Sequence, residues 1–63
     1  MNEGRWIIVH RYDSSLKKLV KMAVNLDHVT AIVDLGENAW ISYSDGDGTS
    51  VRESFDEIGA MIR

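Results

Sequence analysis

Two histidines and two adjacent serines are the residues of this sequence whose types could support a metal site or catalysis. A zinc site would combine His10 and His28, the only imidazoles, with a carboxylate such as Asp13 or Asp27. The chain has no cysteine, which excludes disulfides and thiolate ligands. No His-x-His spacing places two imidazoles on one strand face. We therefore interpret His10 as a packed histidine and His28 as a surface residue, and we predict no metal or other cofactor.

A hydroxyl nucleophile would come from Ser14 or Ser15, with His10 as its base. Nucleophilic catalysis also needs an orienting carboxylate and an oxyanion hole, and the flanking sequence supplies neither these nor a nucleophile elbow. The glycines do not form a phosphate-binding motif either. We interpret the serines as part of a turn and predict that the protein is not an enzyme.

The acidic segment at residues 45–48 reads Asp-Gly-Asp-Gly and is similar to the beginning of a calcium loop. Such a loop needs glycine at its sixth position and a bidentate glutamate at its twelfth. Counted from Asp45, these positions hold Ser50 and Asp56. Because Asp-Gly pairs between apolar segments are a strong hairpin signal, we predict a tight turn here.

Cations and aromatic residues lie close together in the first third of the chain, which is a pattern that nucleic acids can bind. The cations are Arg11, Lys17, Lys18 and Lys21, and the nearby aromatic residues are Trp6 and Tyr12. The net charge of −3 argues against this function, because nucleic-acid-binding domains are usually basic. A nucleic-acid-binding accessory protein is therefore an alternative function.

Charge is divided unevenly along the chain. Residues 1–31 carry five cations and three carboxylates, a net charge of +2, whereas residues 32–63 carry two cations and seven carboxylates, a net charge of −5. Such a chain could stack head to tail, or its acidic half could imitate nucleic-acid phosphates, as phage-type inhibitors of nucleic-acid-handling proteins do. The simplest interpretation is a set of solvated loops.

Size and composition predict a single small β-rich domain over residues 1–63. The chain is 44% hydrophobic and 27% charged, as is usual for globular proteins. A domain this short buries little surface, so we expect support from self-association. Its longest apolar runs are too short to cross a membrane. The N-terminus carries Glu3 and Arg5 and lacks a secretory signal pattern, so we expect a cytoplasmic protein.

Four segments favour β-strands through their β-branched and aromatic residues or the turn signals around them, namely residues 5–12, 29–34, 39–44 and 49–53. Both faces of the first are largely apolar, which predicts a central strand. Residues 16–25 are ambiguous, because their apolar residues fit a helix slightly better than a strand.

The C-terminal segment predicts a helix. Ser54 and Glu57 match a capping box, and Phe55, Ile58 and Ile62 fall on one face. Arg63 lies favourably near the negative end of the helix dipole.

Residues 24–32 (Val-Asn-Leu-Asp-His-Val-Thr-Ala-Ile) and residues 51–62 form an arrangement similar to the FlbD/SwrD-type small bacterial proteins found with flagellar genes, and to related short phage and bacterial β-proteins. The resemblance implies a strand at residues 19–24, and it bears on fold more than on mechanism, because that family has no established enzymatic role. The chain departs from this family at residues 13–18, where family members have a tight Asn-Gly turn.

We therefore predict a mainly β (α+β) fold of about five antiparallel strands, curved or barrel-like, with one C-terminal helix. The predicted core is Ile8, Val24, Val29, Ile32, Ile41, Tyr43, Val51, Phe55, Ile58 and Ile62. The predicted function is a non-enzymatic protein-interaction or adaptor module that self-associates as a homo-oligomer, of bacterial or phage origin. Trp6 and Trp40 are the predicted contact residues for a protein partner, because aromatic residues dominate binding hot spots.

Overall fold

The computed structural model describes residues 5–62, which form five antiparallel strands and a C-terminal helix. The elements are β1 (Trp6–Asp13), β2 (Lys18–Asn25), β3 (Val29–Asp34), β4 (Ala39–Tyr43), β5 (Gly48–Val51) and α1 (Phe55–Ile62), with a short 3₁₀ turn at Leu26–His28. The predicted fold class is confirmed. Glu3 and Arg63, which entered the predictions above, lie outside the described residues.

The strands form two sheets, one of β1 and β2 and one in the order β3-β4-β5, and they do not close into a barrel. Of the two predicted forms, curved or barrel-like, the barrel is therefore not formed, and the predicted central position of the first strand is wrong. The second edge of β1 meets the other sheet through one backbone bond, from the N–H of Arg52 to the carbonyl of His10 at 2.7 Å. A single bond of this kind does not extend into a ladder.

The ambiguous segment is a strand from Lys18 onward, because it pairs with β1 along its whole length, from Asp13↔Lys18 to Trp6↔Asn25. The Asp13 carboxylate accepts hydrogen bonds from the N–H groups of Ser15 and Leu16, at 2.9 and 3.0 Å. These bonds fold residues 14–17 into a turn that reverses the chain. Tertiary pairing thus decides what periodicity left open.

The predicted Asp-Gly turn and the predicted helix cap are confirmed. The Asp45 carboxylate accepts the Asp47 N–H at 2.9 Å, and Gly46 has a φ of 95°, which an L-residue rarely adopts. Ser54 and Glu57 form the predicted capping box, with reciprocal hydrogen bonds of 2.8 and 3.1 Å.

The core lies between the two sheets and the helix, and its fully buried members are Ile7, Val9, Val24, Ala39, Ile41, Val51 and Ile58. Val24, Ile41, Val51 and Ile58 were predicted, and Val29, Ile32 and Tyr43 pack against this cluster while partly buried. The prediction is wrong for Ile8, which is 47% exposed, and for Phe55 and Ile62, which are 42% and 40% exposed. The inner face of β1 carries Ile7 and Val9 instead.

Among residues 5–62, no helix is long and apolar enough to span a bilayer, since α1 has eight residues.

Candidate protein-interaction surface

The two faces of the β1–β2 hairpin differ in what covers them. On one face Ile7, Val9 and Val24 are buried against the rest of the molecule. The opposite face, called here the outer hairpin face, carries eight residues by strand alternation and register. They are Trp6, Ile8, His10 and Tyr12 from β1 and Leu19, Lys21, Ala23 and Asn25 from β2.

The outer hairpin face is apolar and open to solvent. Trp6, Ile8, Tyr12 and Leu19 are 58%, 47%, 60% and 42% exposed. The register sets Tyr12 opposite Leu19 and Ile8 opposite Ala23, so apolar side chains cover both strands. The exposed charge on this face is that of Lys21, because the eight residues include no carboxylate and the side chain of Glu53, which contacts His10, is largely buried.

His10 lies in the middle of this face and is held by Glu53. One carboxylate oxygen, Oε1, accepts the His10 backbone N–H at 2.8 Å, and Oε2 lies 2.7 Å from Nδ1 of the ring. Since an ionised carboxylate only accepts, Nδ1 carries the proton in this contact. The predicted packed histidine is thus half-buried, with a side chain 34% exposed against 12% for Glu53.

The environment of Glu53 favours its ionised form. Burial of the carboxylate raises its pKa, but the hydrogen bonds from the His10 ring and backbone outweigh burial, and the pKa of Glu53 lies below its usual value. Within residues 5–62, no serine or other nucleophile is hydrogen-bonded to the His10–Glu53 pair. Its role is to join the hairpin to the segment that precedes α1.

The two predicted contact tryptophans lie in different sheets. Trp6 projects from the outer hairpin face, whereas Trp40 lies on β4, where it is 37% exposed. The indole N–H of Trp40 donates to Ser42 Oγ at 3.0 Å, and its ring covers Gly48, where a Cβ would lie 2.5 Å from the indole. Trp40 therefore has partners within the fold, while Trp6 is the more available of the two.

The four predicted basic residues do not share one face. Arg11 lies on the opposite side of β1 from Trp6, and its guanidinium is 3.8 Å from Asp13 Oδ2. Lys18 is paired with Asp13 across the hairpin, and Lys17 lies in the turn. Only Lys21 belongs to the outer hairpin face.

A second apolar surface, which sequence reasoning missed, lies between β3 and α1. This β3–α1 groove encloses about 340 Å³ and is lined by residues 29–32 and by Phe55, Ile58, Gly59 and Ile62. The sequence shows the apolar stripe of α1 but not how closely the helix approaches β3. The stripe is predicted to be core, whereas only Ile58 of it is fully buried.

The remaining candidate ligands and nucleophiles do not converge. Within residues 5–62, no three His, Asp or Glu side chains are placed to hold a metal ion. Ser14 and Ser15 are exposed in the hairpin turn, and the carboxylate of Asp45 is engaged by its own turn.

Comparisons with protein-family models, with curated proteins and with solved structures gave no match.

Proposed function

We propose that the protein is a non-enzymatic protein-interaction or adaptor module that self-associates, and that its contact surface is the outer hairpin face. The observation that carries this proposal is the exposure of Trp6, Ile8, Tyr12 and Leu19 on one side of a single hairpin. Monomeric proteins rarely leave large contiguous apolar patches in water, and such patches mark interaction sites.

Chain length and strand arrangement support self-association. A chain of 63 residues buries too little surface to be more than marginally stable alone. In addition, β2 has eight residues and, within the described part of the chain, pairs with β1 alone. An open edge of that length is a template for further pairing.

The resemblance of residues 24–32 and 51–62 to FlbD/SwrD-type small proteins supports a bacterial or phage origin. The lack of cysteine in the chain supports a reducing location such as the cytoplasm.

The test compares two substitutions of matched chemistry at different places in the fold. Ile8→Glu changes the outer hairpin face, and Leu35→Glu changes the turn between β3 and β4, where Leu35 is similarly exposed at 51%. Sedimentation velocity over a range of concentrations should show association of the wild type, loss of association in Ile8→Glu and retention in Leu35→Glu. The same three proteins should also be tagged, immobilised and exposed to nuclease-treated bacterial lysate. The wild type and the control variant should retain a partner protein, and Ile8→Glu should not. Equal behaviour of the two variants in both assays contradicts the assignment of the surface.

One observation favours the nucleic-acid alternative, namely that Lys21 shares the outer hairpin face with exposed Trp6 and Tyr12. Aromatic stacking beside a cation is how single strands bind without sequence preference. Fluorescence anisotropy with a labelled oligonucleotide at low salt tests this function, and Lys21→Ala should weaken any binding. Absence of binding at low salt removes the alternative.

A further inference from the structure

We propose that copies of the chain associate head to tail, with the outer hairpin face of one copy docked on the β3–α1 groove of the next. This inference rests on the self-association proposed above and adds the surface that receives the hairpin. The hairpin and the groove are separate surfaces of one molecule, because no residue of β1 or β2 lines the groove.

The apolar contents of the two surfaces fit each other. Six of the eight residues that line the groove have aliphatic or aromatic side chains, and the groove is open to solvent. The outer hairpin face offers side chains to fill it, of which Trp6 and Tyr12 protrude most, at 58% and 60% exposure. Apolar side chains of both surfaces are exposed to water in a single copy. One contact between the two surfaces would bury both sets of side chains.

Their charges are opposite. The eight residues of the outer hairpin face include Lys21 and no carboxylate, and the Glu53 side chain that contacts His10 is largely buried. The two elements that form the groove, β3 and α1, carry Asp34, Asp56 and Glu57 and no lysine or arginine. On α1, Asp56 follows Phe55 directly and so flanks the side chains that line the groove. Complementary charge at the rim directs one apolar surface to the other.

The same charges disfavour symmetric pairing. Two hairpin faces related by a twofold axis would place the Lys21 side chains of both copies in one interface. Two grooves related in the same way would place the carboxylates of both copies in one interface. Like charges facing each other across an interface suppress that pairing. A contact between different surfaces leaves one of each free at the ends, so it continues into a ring or an open chain of copies.

The experiment uses two full-length variants, each blocked on one surface. Ile8→Glu places a carboxylate on the outer hairpin face, and Ile62→Lys places a cation in the groove. Both positions are at least 40% exposed, and circular dichroism should show wild-type secondary structure in both. Each variant alone should sediment as a monomer, while the wild type forms larger species whose association constant falls roughly two- to fivefold when salt is raised from low to high ionic strength, as exposed ion pairs are screened.

Mixing the two variants decides the geometry. The groove of the Ile8→Glu chain and the hairpin of the Ile62→Lys chain are both intact, so an equimolar mixture should give a 1:1 heterodimer and no larger species. If the wild type assembles and the mixture stays monomeric, the head-to-tail contact is refuted while self-association stands. If the wild type is monomeric at every concentration, self-association and this inference both fail. The lysate assay then tests whether the outer hairpin face binds a different protein. If Ile8→Glu or Ile62→Lys unfolds, the pair Tyr12→Glu and Phe55→Lys repeats the test.

Discussion

Glu53 binds both the backbone and the ring of His10, a residue 43 positions earlier in the chain, through the two oxygens of one carboxylate. The preceding residue, Arg52, donates its N–H to the carbonyl of the same histidine. At this position β1 is bonded as if a further strand lay beside it, with a side-chain oxygen in place of one carbonyl. The contact ties the hairpin to the segment between β5 and α1.

Removal of this carboxylate should destabilise the protein. Glu53→Ala leaves the half-buried N–H of His10 without its acceptor and is expected to lower the free energy of unfolding by about 1–3 kcal/mol. Glu53→Gln should cost less, because its amide oxygen can still accept from that N–H. Urea denaturation measures both values. Glu37→Ala, at an exposed loop position, is the control, and equal effects at Glu37 and Glu53 would contradict a role for the contact.

Stability should depend on pH through Glu53. Its pKa is lower in the folded than in the unfolded state, so the ionised form favours folding. This contribution is complete above the unfolded pKa of about 4.3 and is lost as the pH falls through the folded value. The difference in urea midpoint between wild type and Glu53→Gln should therefore be largest near neutral pH and shrink in acid. A difference that stays constant down to pH 2.5 would exclude this linkage.

Two glycines should respond to alanine with opposite signs. At Gly48 a Cβ would lie 2.5 Å from the Trp40 ring and 2.8 Å from the Ile41 carbonyl, so Gly48→Ala must displace the indole and should cost about 1–3 kcal/mol. At Gly59 nothing lies within 4 Å, and Gly59→Ala should stabilise α1 by about 0.5–1 kcal/mol. Thermal denaturation gives both signs. Trp40 fluorescence, recorded in a Trp6→Phe background, should change with Gly48→Ala alone.

The hairpin turn contains one strained residue. Lys17 has a φ of 57°, the left-handed region that glycine adopts without penalty. Lys17→Gly should therefore stabilise the protein or leave it unchanged despite the greater flexibility of glycine in the unfolded chain. Ser14→Gly, elsewhere in the same turn, gains no such relief and should destabilise by up to about 1 kcal/mol. Chemical denaturation of the two variants separates these outcomes. An equal decrease in the free energy of unfolding of both would show that the φ of Lys17 does not destabilise the protein.

Short-range features could be predicted from the sequence because neighbouring residues determine them. The Ser54 and Glu57 cap, the Asp-Gly turn after β4 and the boundaries of β3 depend on residues a few positions apart. The resemblance to small bacterial β-proteins favoured a strand at residues 19–24, which lie within β2, whereas periodicity slightly favoured a helix.

Long-range features were beyond the sequence for a physical reason. Both faces of β1 are apolar, so alternation could not tell whether Ile8 or its neighbours Ile7 and Val9 would be buried. The partner of His10 lies 43 residues away, and no local pattern indicates Glu53. The β3–α1 groove was missed because burial of Phe55 and Ile62 depends on how closely the helix approaches β3, which a helical stripe does not specify.

The span of the His10–Glu53 contact also bears on the order of events during folding. The β1–β2 hairpin is closed by residues 14–17 alone, and hairpins form within about 1–10 μs. Bonding of His10 by residues 52 and 53 closes a far longer loop, so we expect it after the rate-limiting barrier. In stopped-flow experiments Glu53→Gln should then speed unfolding and leave the refolding rate nearly unchanged. This one carboxylate would therefore affect the lifetime of the native state more than the rate at which the chain folds.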